Sequence, residues 1–329
     1  GWRSMTALPS LRAWLGALLT LIVISAVAAA SSVVVTSSPA TAATPPAPTG
    51  LPAGLERMAR YVPQRSCEPT NKPGTVRFAA LLRSTYPGPG TGMGRTCLGS
   101  TSEHHDGRAI DWMTNVRNPK QRAMANAAIT WLFAKDARGN PYANARRLGV
   151  MYLIWNNRIW GAYNAQKGWR PYKNCAKRPE KRWDGTCHRN HVHISLSWEG
   201  AMGRTSFWSK RVVGVDYGPC RPADLNWAAS RTTPNPRPCP RHPRVQSPRG
   251  ASSTLKTLTA YSGQVYTIGS RGSGVRAVQK VLKVSPRSGY YGPVTTAAMK
   301  KWQQAHRLKA TGHVDHSTWR ALLKDQAPR

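Results

Sequence analysis

Acidic residues are scarce in this 329-residue chain: 13 Asp+Glu stand against 48 Lys+Arg, a formal charge of +35. Self-repulsion on that scale suits a protein that works beside a polyanion, whether nucleic acid, an anionic membrane or a wall bearing phosphate and carboxylate polymers. Long apolar runs are almost missing as well. Only Ala13–Ala30 is apolar and charge-free over such a length, which argues against a polytopic membrane protein. No two of the six cysteines form a CxxC pair, which argues against a thiolate metal site. What is present argues against disorder: 40% hydrophobic residues and 13 Trp are enough to fill the core of one or two domains.

The apolar run has an address. Arg3 and Arg12 precede it, and a polar stretch after it ends in Ala40, Thr41, Ala42 and Ala43. A positive start, an apolar middle and small residues at a cleavage point describe a secretory signal peptide over 1–43, with a retained N-terminal anchor as the alternative. The cysteines fit export. Cys67, Cys97, Cys175, Cys187, Cys220 and Cys239 all follow the run and are even in number. Pairing nearest neighbours predicts the bridges 67–97, 175–187 and 220–239.

Past the leader, a Pro/Gly/Ala-rich stretch begins a linker expected over 44–64. A mixed α+β domain is expected over 65–215. Helical spacing of Val76, Ala79, Ala80 and Leu82 predicts a helix over 75–85, and Pro119 opens another that carries Met124, Ala127, Ala128, Trp131 and Leu132. Val150–Trp155 and Arg158–Trp160 read as a hairpin around Asn156 and Asn157. His191–Trp198 alternates, with Val192, Ile194, Leu196 and Trp198 on one face and His191, His193, Ser195 and Ser197 on the other. Residues 216–257 are Pro- and Arg-rich, hence an extended basic linker pinned by a 220–239 bridge. A small all-α region of three helices is expected over 258–325, with Pro293 at a helix start and Asp315 as an N-cap.

With so few carboxylates and nine histidines, clusters of them are informative. Glu103, His104, His105, Asp106 and Asp111 fall together, and so do His188, His191 and His193. A catalytic zinc takes three N or O ligands and keeps one position open. His104, Asp111 and His193 supply such a set, and His191, two residues from a ligand, is placed to handle protons. His105, Asp106 and His188 compete for these places, and spacing alone does not decide among them.

Ser102–Asp111 has the pattern SxHxxGxAxD, and His191-Val192-His193 the later HxH. Together they resemble the zinc D-alanyl-D-alanine metallopeptidases, of the hedgehog/D-Ala-D-Ala peptidase superfamily, in a secreted actinobacterial branch. The resemblance covers about 65–200. It implies an antiparallel sheet in the catalytic domain, Zn2+ held by His104, Asp111 and His193, and His191 as catalytic partner. Arg95, in GMGRTC, is similar to the arginine that polarises the substrate carbonyl in relatives. Asn190 stands where an Asp often precedes HxH, so a charge beside the site is lost. The stretch 262–324 is similar to the peptidoglycan-binding three-helix domain of wall hydrolases. The implied function is a secreted carboxypeptidase or cross-link endopeptidase on peptidoglycan stem peptides, partnered by peptidoglycan and anionic wall polymers, with no nucleic acid and no stable protein partner. Two alternatives stand beside it. One is a non-catalytic wall-binding protein with a degenerate peptidase domain; the other is a secreted metal-dependent nuclease, for which SxHxxGxAxD has no role.

Overall fold

The computed structural model describes residues 43–97, 101–220, 232–240 and 245–328. The expected signal peptide lies outside the described residues, save Ala43. Among the described residues, no helix is long and apolar enough to cross a membrane.

The first region is a mixed helix and antiparallel-sheet structure, as its patterning predicts. Helix α1 (Pro73–Thr85) starts on a proline, whose missing N–H would have no helical partner in any case. It buries Thr75, Phe78, Ala79 and Leu82. The expected face holds at Ala79 and Leu82 and departs at Val76, which is 42% exposed; Phe78, fully buried, takes its place. Burying that ring contributes about 2 kcal/mol. Strand β1 (Thr91–Gly92) and β2 (Ala109–Trp112) precede α2 (Pro119–Phe133), whose Asn118 cap accepts a hydrogen bond from Gln121 N at 3.2 Å. The short α3 (Ala143–Leu148) leads into β3 (Val150–Trp155) and β4 (Arg158–Gly161). Asn156 and Asn157 join these strands with φ of 47° and 68°. Positive φ at both turn positions matches the right-handed twist of a hairpin, which is why two asparagines stand there.

Strand β5 (Arg170–Pro171), β6 (Val192–Leu196) and the short helices α4 (Trp198–Ala201) and α5 (Ser206–Ser209) complete the region. The sheet order is β1-β2-β6-β3-β4-β5, with every pair antiparallel. One face, through Ile110, Trp112, Leu153, Val192 and Ile194, joins the core with Phe78, Leu82, Ala128 and Leu132. The strand expected over 191–198 ends at Leu196, because Ser197 caps α4 through its Oγ and draws Trp198 into the helix. Its polar face is buried too, so alternation here marks a covered cleft and not solvent.

The stretch expected as linker over 44–64 is packed from Pro52 onward. Arg147 donates to Pro52 O at 3.0 Å, the buried Glu56 carboxylate accepts from Ser206 N and Oγ at 2.7 Å each, and Ala59 and Val62 are buried. Periodicity gave no hint of this, since the segment packs as irregular chain. The three expected disulfides form: Cys67–Cys97, Cys175–Cys187 and Cys220–Cys239.

The C-terminal region is helical, but among the described residues it has four helices and not three: α6 (Ser253–Tyr261), α7 (Ser273–Val281), α8 (Pro293–Ala305) and α9 (His316–Asp325). Helix α6 begins inside the expected linker, capped by Ser252, and buries Leu255 and Leu258. Leu258, Val275, Val278, Met299, Trp319 and Leu322 share one core. Two buried glutamines repeat one device. Gln279 accepts from Gly289 N at 2.9 Å and donates to Tyr290 O at 2.9 Å; Gln303 accepts from Gly312 N at 2.8 Å and donates to His313 O at 2.8 Å. Each satisfies the backbone of the turn that follows its helix.

Candidate metal centre

Ser102 opens a single helical turn, Glu103–Asp106, by accepting from His104 N, and Gly107 closes it with φ of 67°. A side chain at Gly107 would be strained by that φ and would collide with the carbonyl oxygen of Thr70. This is why the motif carries glycine there. The turn drives His104 inward, fully buried. The chain then enters β2, where Asp111 lies directly across from His193 of β6. Cross-strand partners share a face, so one register delivers both.

Three atoms meet there. His104 Nε2 is 3.1 Å from Asp111 Oδ1 and 3.3 Å from His193 Nδ1, and His193 Nδ1 is 2.9 Å from the same carboxylate oxygen. Proton counting shows what these atoms can do. His104 Nδ1 lies 2.7 Å from Met93 O, an acceptor only, so that nitrogen holds the proton and Nε2 presents a lone pair. His193 Nε2 lies 2.8 Å from Ser195 Oγ, which donates to Glu103 Oε2 at 3.2 Å. That hydroxyl has one proton, so His193 Nε2 donates to it and Nδ1 also presents a lone pair. Arg95 Nη1 donates to the other oxygen of Asp111, Oδ2, at 3.2 Å, a cation beside the carboxylate. Burial foremost pushes His104 down, against a second proton. A carboxylate and two lone pairs converging with no proton between them fit a cation. His104, Asp111 and His193 form a group that could hold a metal ion. Two nitrogens and one oxygen are zinc-type donors.

Two stretches of the chain match known families. Residues 67–183 match the VldE, C-terminal domain family, which is D-Ala-D-Ala peptidase-like, and residues 271–322 match a peptidoglycan binding domain family. No curated protein and no solved structure matches the chain. The first match contains His104 and Asp111 and stops before His191 and His193. The second supports wall association and peptidoglycan as a binding partner, and together with the disulfides it suggests an extracellular, cell-wall location.

The remaining candidates surround this cluster. His191 Nε2 is 3.6 Å from Asp111 Oδ1. Its Nδ1 donates to Asn190 Oδ1 at 2.8 Å, so the amide oxygen at the departing position fixes this ring and leaves Nε2 as a lone pair facing the cluster. Burial pushes His191 below the usual imidazole value. Arg95 reaches Asp111 Oδ2 at 3.2 Å from a side chain 58% exposed, while its backbone N–H bonds His104 O. A cleft of about 670 Å³ opens beside them, lined by Arg95, Thr96, Ser102, Tyr152, Tyr172, His188 and His193. His188 packs 4.6 Å from His191, and burial, then His193, pushes it down to about 3.

The loop that delivers His188 and His191 is braced. Arg189 donates to Asp184 Oδ1 at 2.6 Å and to Asn157 Oδ1 at 2.8 Å, Arg117 grips the same aspartate, and Cys175–Cys187 closes the loop. Two rivals for the ligand set are engaged elsewhere. His105 Nδ1 lies 3.0 Å from Gln64 Oε1, and burial, then Arg95, pushes it down to about 4. Asp106 accepts from Ser66 N and Oγ, Arg65 N and the buried Arg108. Sequence reasoning gave no role to Glu103, Tyr152 or Ser195. Ser195 continues the period-two face of His191 and His193, the one cue available; Tyr152 comes from another strand.

Proposed function

We propose that this protein is a secreted, zinc-dependent peptidase that hydrolyses D-amino-acid-containing stem peptides of peptidoglycan, held to the wall by its C-terminal region. The convergence of His104 Nε2, Asp111 Oδ1 and His193 Nδ1 carries this reading, because three N and O donors from the protein match a catalytic zinc and not a structural one. Zinc in such a site supplies Lewis-acid polarisation of a scissile carbonyl and activation of water.

The chain's own groups take the other roles. His191, oriented by Asn190, accepts the proton of the attacking water at Nε2 and returns it to the leaving amine. Its lowered pKa keeps it neutral, with a lone pair free to accept a proton, at physiological pH. Arg95 brings an exposed cation beside the cluster, where it stabilises negative charge growing on the carbonyl oxygen. The peptidase-like match over 67–183 and the peptidoglycan-binding match support the substrate class. The overall basic charge adds retention on anionic wall polymers. The test is mass spectrometry of purified muropeptides treated with wild type and His191→Ala. Shortened stem peptides with wild type and loss of at least ~100-fold in rate with the variant are expected; identical product patterns and rates refute the assignment.

A further inference from the structure

The polar residues behind His193 form a directed chain. Glu103 is 3% exposed, Ser195 fully buried and His193 6% exposed, so bulk water does not compete for their bonds. Ser195 Oγ donates to Glu103 Oε2, and the Tyr152 hydroxyl donates to the same oxygen. A register shift in β3 between Val150 and Tyr152 sets Tyr152 opposite Ser195 and stacks its ring on His193, centroids 5.4 Å apart at 22°. A carboxylate oxygen only accepts, so Glu103 draws the Ser195 proton away from the imidazole.

That direction decides a competition at His193. If Ser195 donated to Nε2, the imidazole proton would move to Nδ1, which lies 2.9 Å from Asp111 Oδ1, inside the ligand cluster. Any metal would then have to displace it. On the reading of the centre as a metal site, we propose that Glu103, acting through Ser195 and supported by Tyr152, is a positioning residue: it holds His193 in the Nε2–H tautomer and keeps the Nδ1 lone pair free for the metal. Partners of this kind behind a ligand histidine typically change metal affinity by about 10–100-fold.

The test uses the full chain with Glu103→Gln and Ser195→Ala. The Gln amide can donate to Ser195 and reverse the chain, whereas Ala removes the acceptor of His193 Nε2. Zinc affinity is read by chelator competition, and the His193 tautomer by 15N NMR of the metal-free protein at about pH 9, above the ordinary imidazole range. Expected are an Nε2–H tautomer in wild type, a shift toward Nδ1–H in each variant, and zinc affinity lower by about 10–100-fold. If Ser195→Ala fails to fold, the near-isosteric Glu103→Gln carries the comparison, and the wild-type tautomer stands as a third readout. Wild type that binds no zinc refutes the reading of the site. Wild type that binds zinc while both folded variants match it in affinity and tautomer refutes the relay alone, as does an Nδ1–H tautomer in wild type.

Discussion

His105→Gln separates the ligand set from its nearest rival. His105 is buried at 6% exposure, bonded to Gln64, and held down to about 4 against an ordinary 6.5 by burial and then by Arg95. A histidine whose folded value lies below its unfolded one binds its proton more readily in the unfolded chain. Its stabilising effect is therefore full above about 6.5 and is lost as pH falls toward about 4. That gap corresponds to about 3 kcal/mol, taking ~1.4 kcal/mol per pH unit. Urea unfolding of the metal-free protein at closely spaced pH values measures it. Between pH 6.5 and 4 the His105→Gln variant should lose less stability than wild type, by about 3 kcal/mol, while zinc affinity stays within about twofold because Gln keeps clear of the cluster. Equal acid sensitivity in the two proteins would refute the linkage. A loss of zinc binding would place His105 among the ligands and overturn the assignment.

Other positions give further tests. Asn190→Ala should slow muropeptide cleavage by at least ~10-fold at unchanged zinc content, because His191 loses the acceptor that fixes its ring; unchanged turnover would remove Asn190 from the account. Gly107→Ala should destabilise the first region by ~3 kcal/mol or more in thermal unfolding, from a left-handed φ and a backbone collision. Gln303→Ala should cost about 2–4 kcal/mol in chemical denaturation followed by Trp fluorescence, since Gly312 N–H and His313 O lose a buried partner; a neutral result would mean that water replaces the amide.

Much of the centre was legible because its residues lie in two short motifs whose periods are local. SxHxxGxAxD puts His104 on a turn and Asp111 on the strand after it, and HxH puts His193 on a strand that pairs with that one. The disulfides were legible because each joins sequence neighbours. The Glu103–Ser195–Tyr152 network was not, because its members come from a turn and two strands, and a register shift in β3 is needed to bring Tyr152 alongside. Residues 52–64 carry no period to reveal that Glu56 and Val62 are buried. Helix α6 was hidden by its Arg- and Pro-rich approach. In α1 Ala79 and Leu82 are buried as expected, while Val76 and Ala80 face outward and the larger Phe78 ring takes the inner face.

The central claim is that His104, Asp111 and His193 hold a metal. Elemental analysis of the purified full chain, beside Asp111→Ala, tests it most directly: about one zinc per chain in wild type and far less in the variant is the result expected for a three-ligand site. Metal-free wild type that fails to take up added zinc, or an Asp111→Ala protein that retains it equally, would contradict the account.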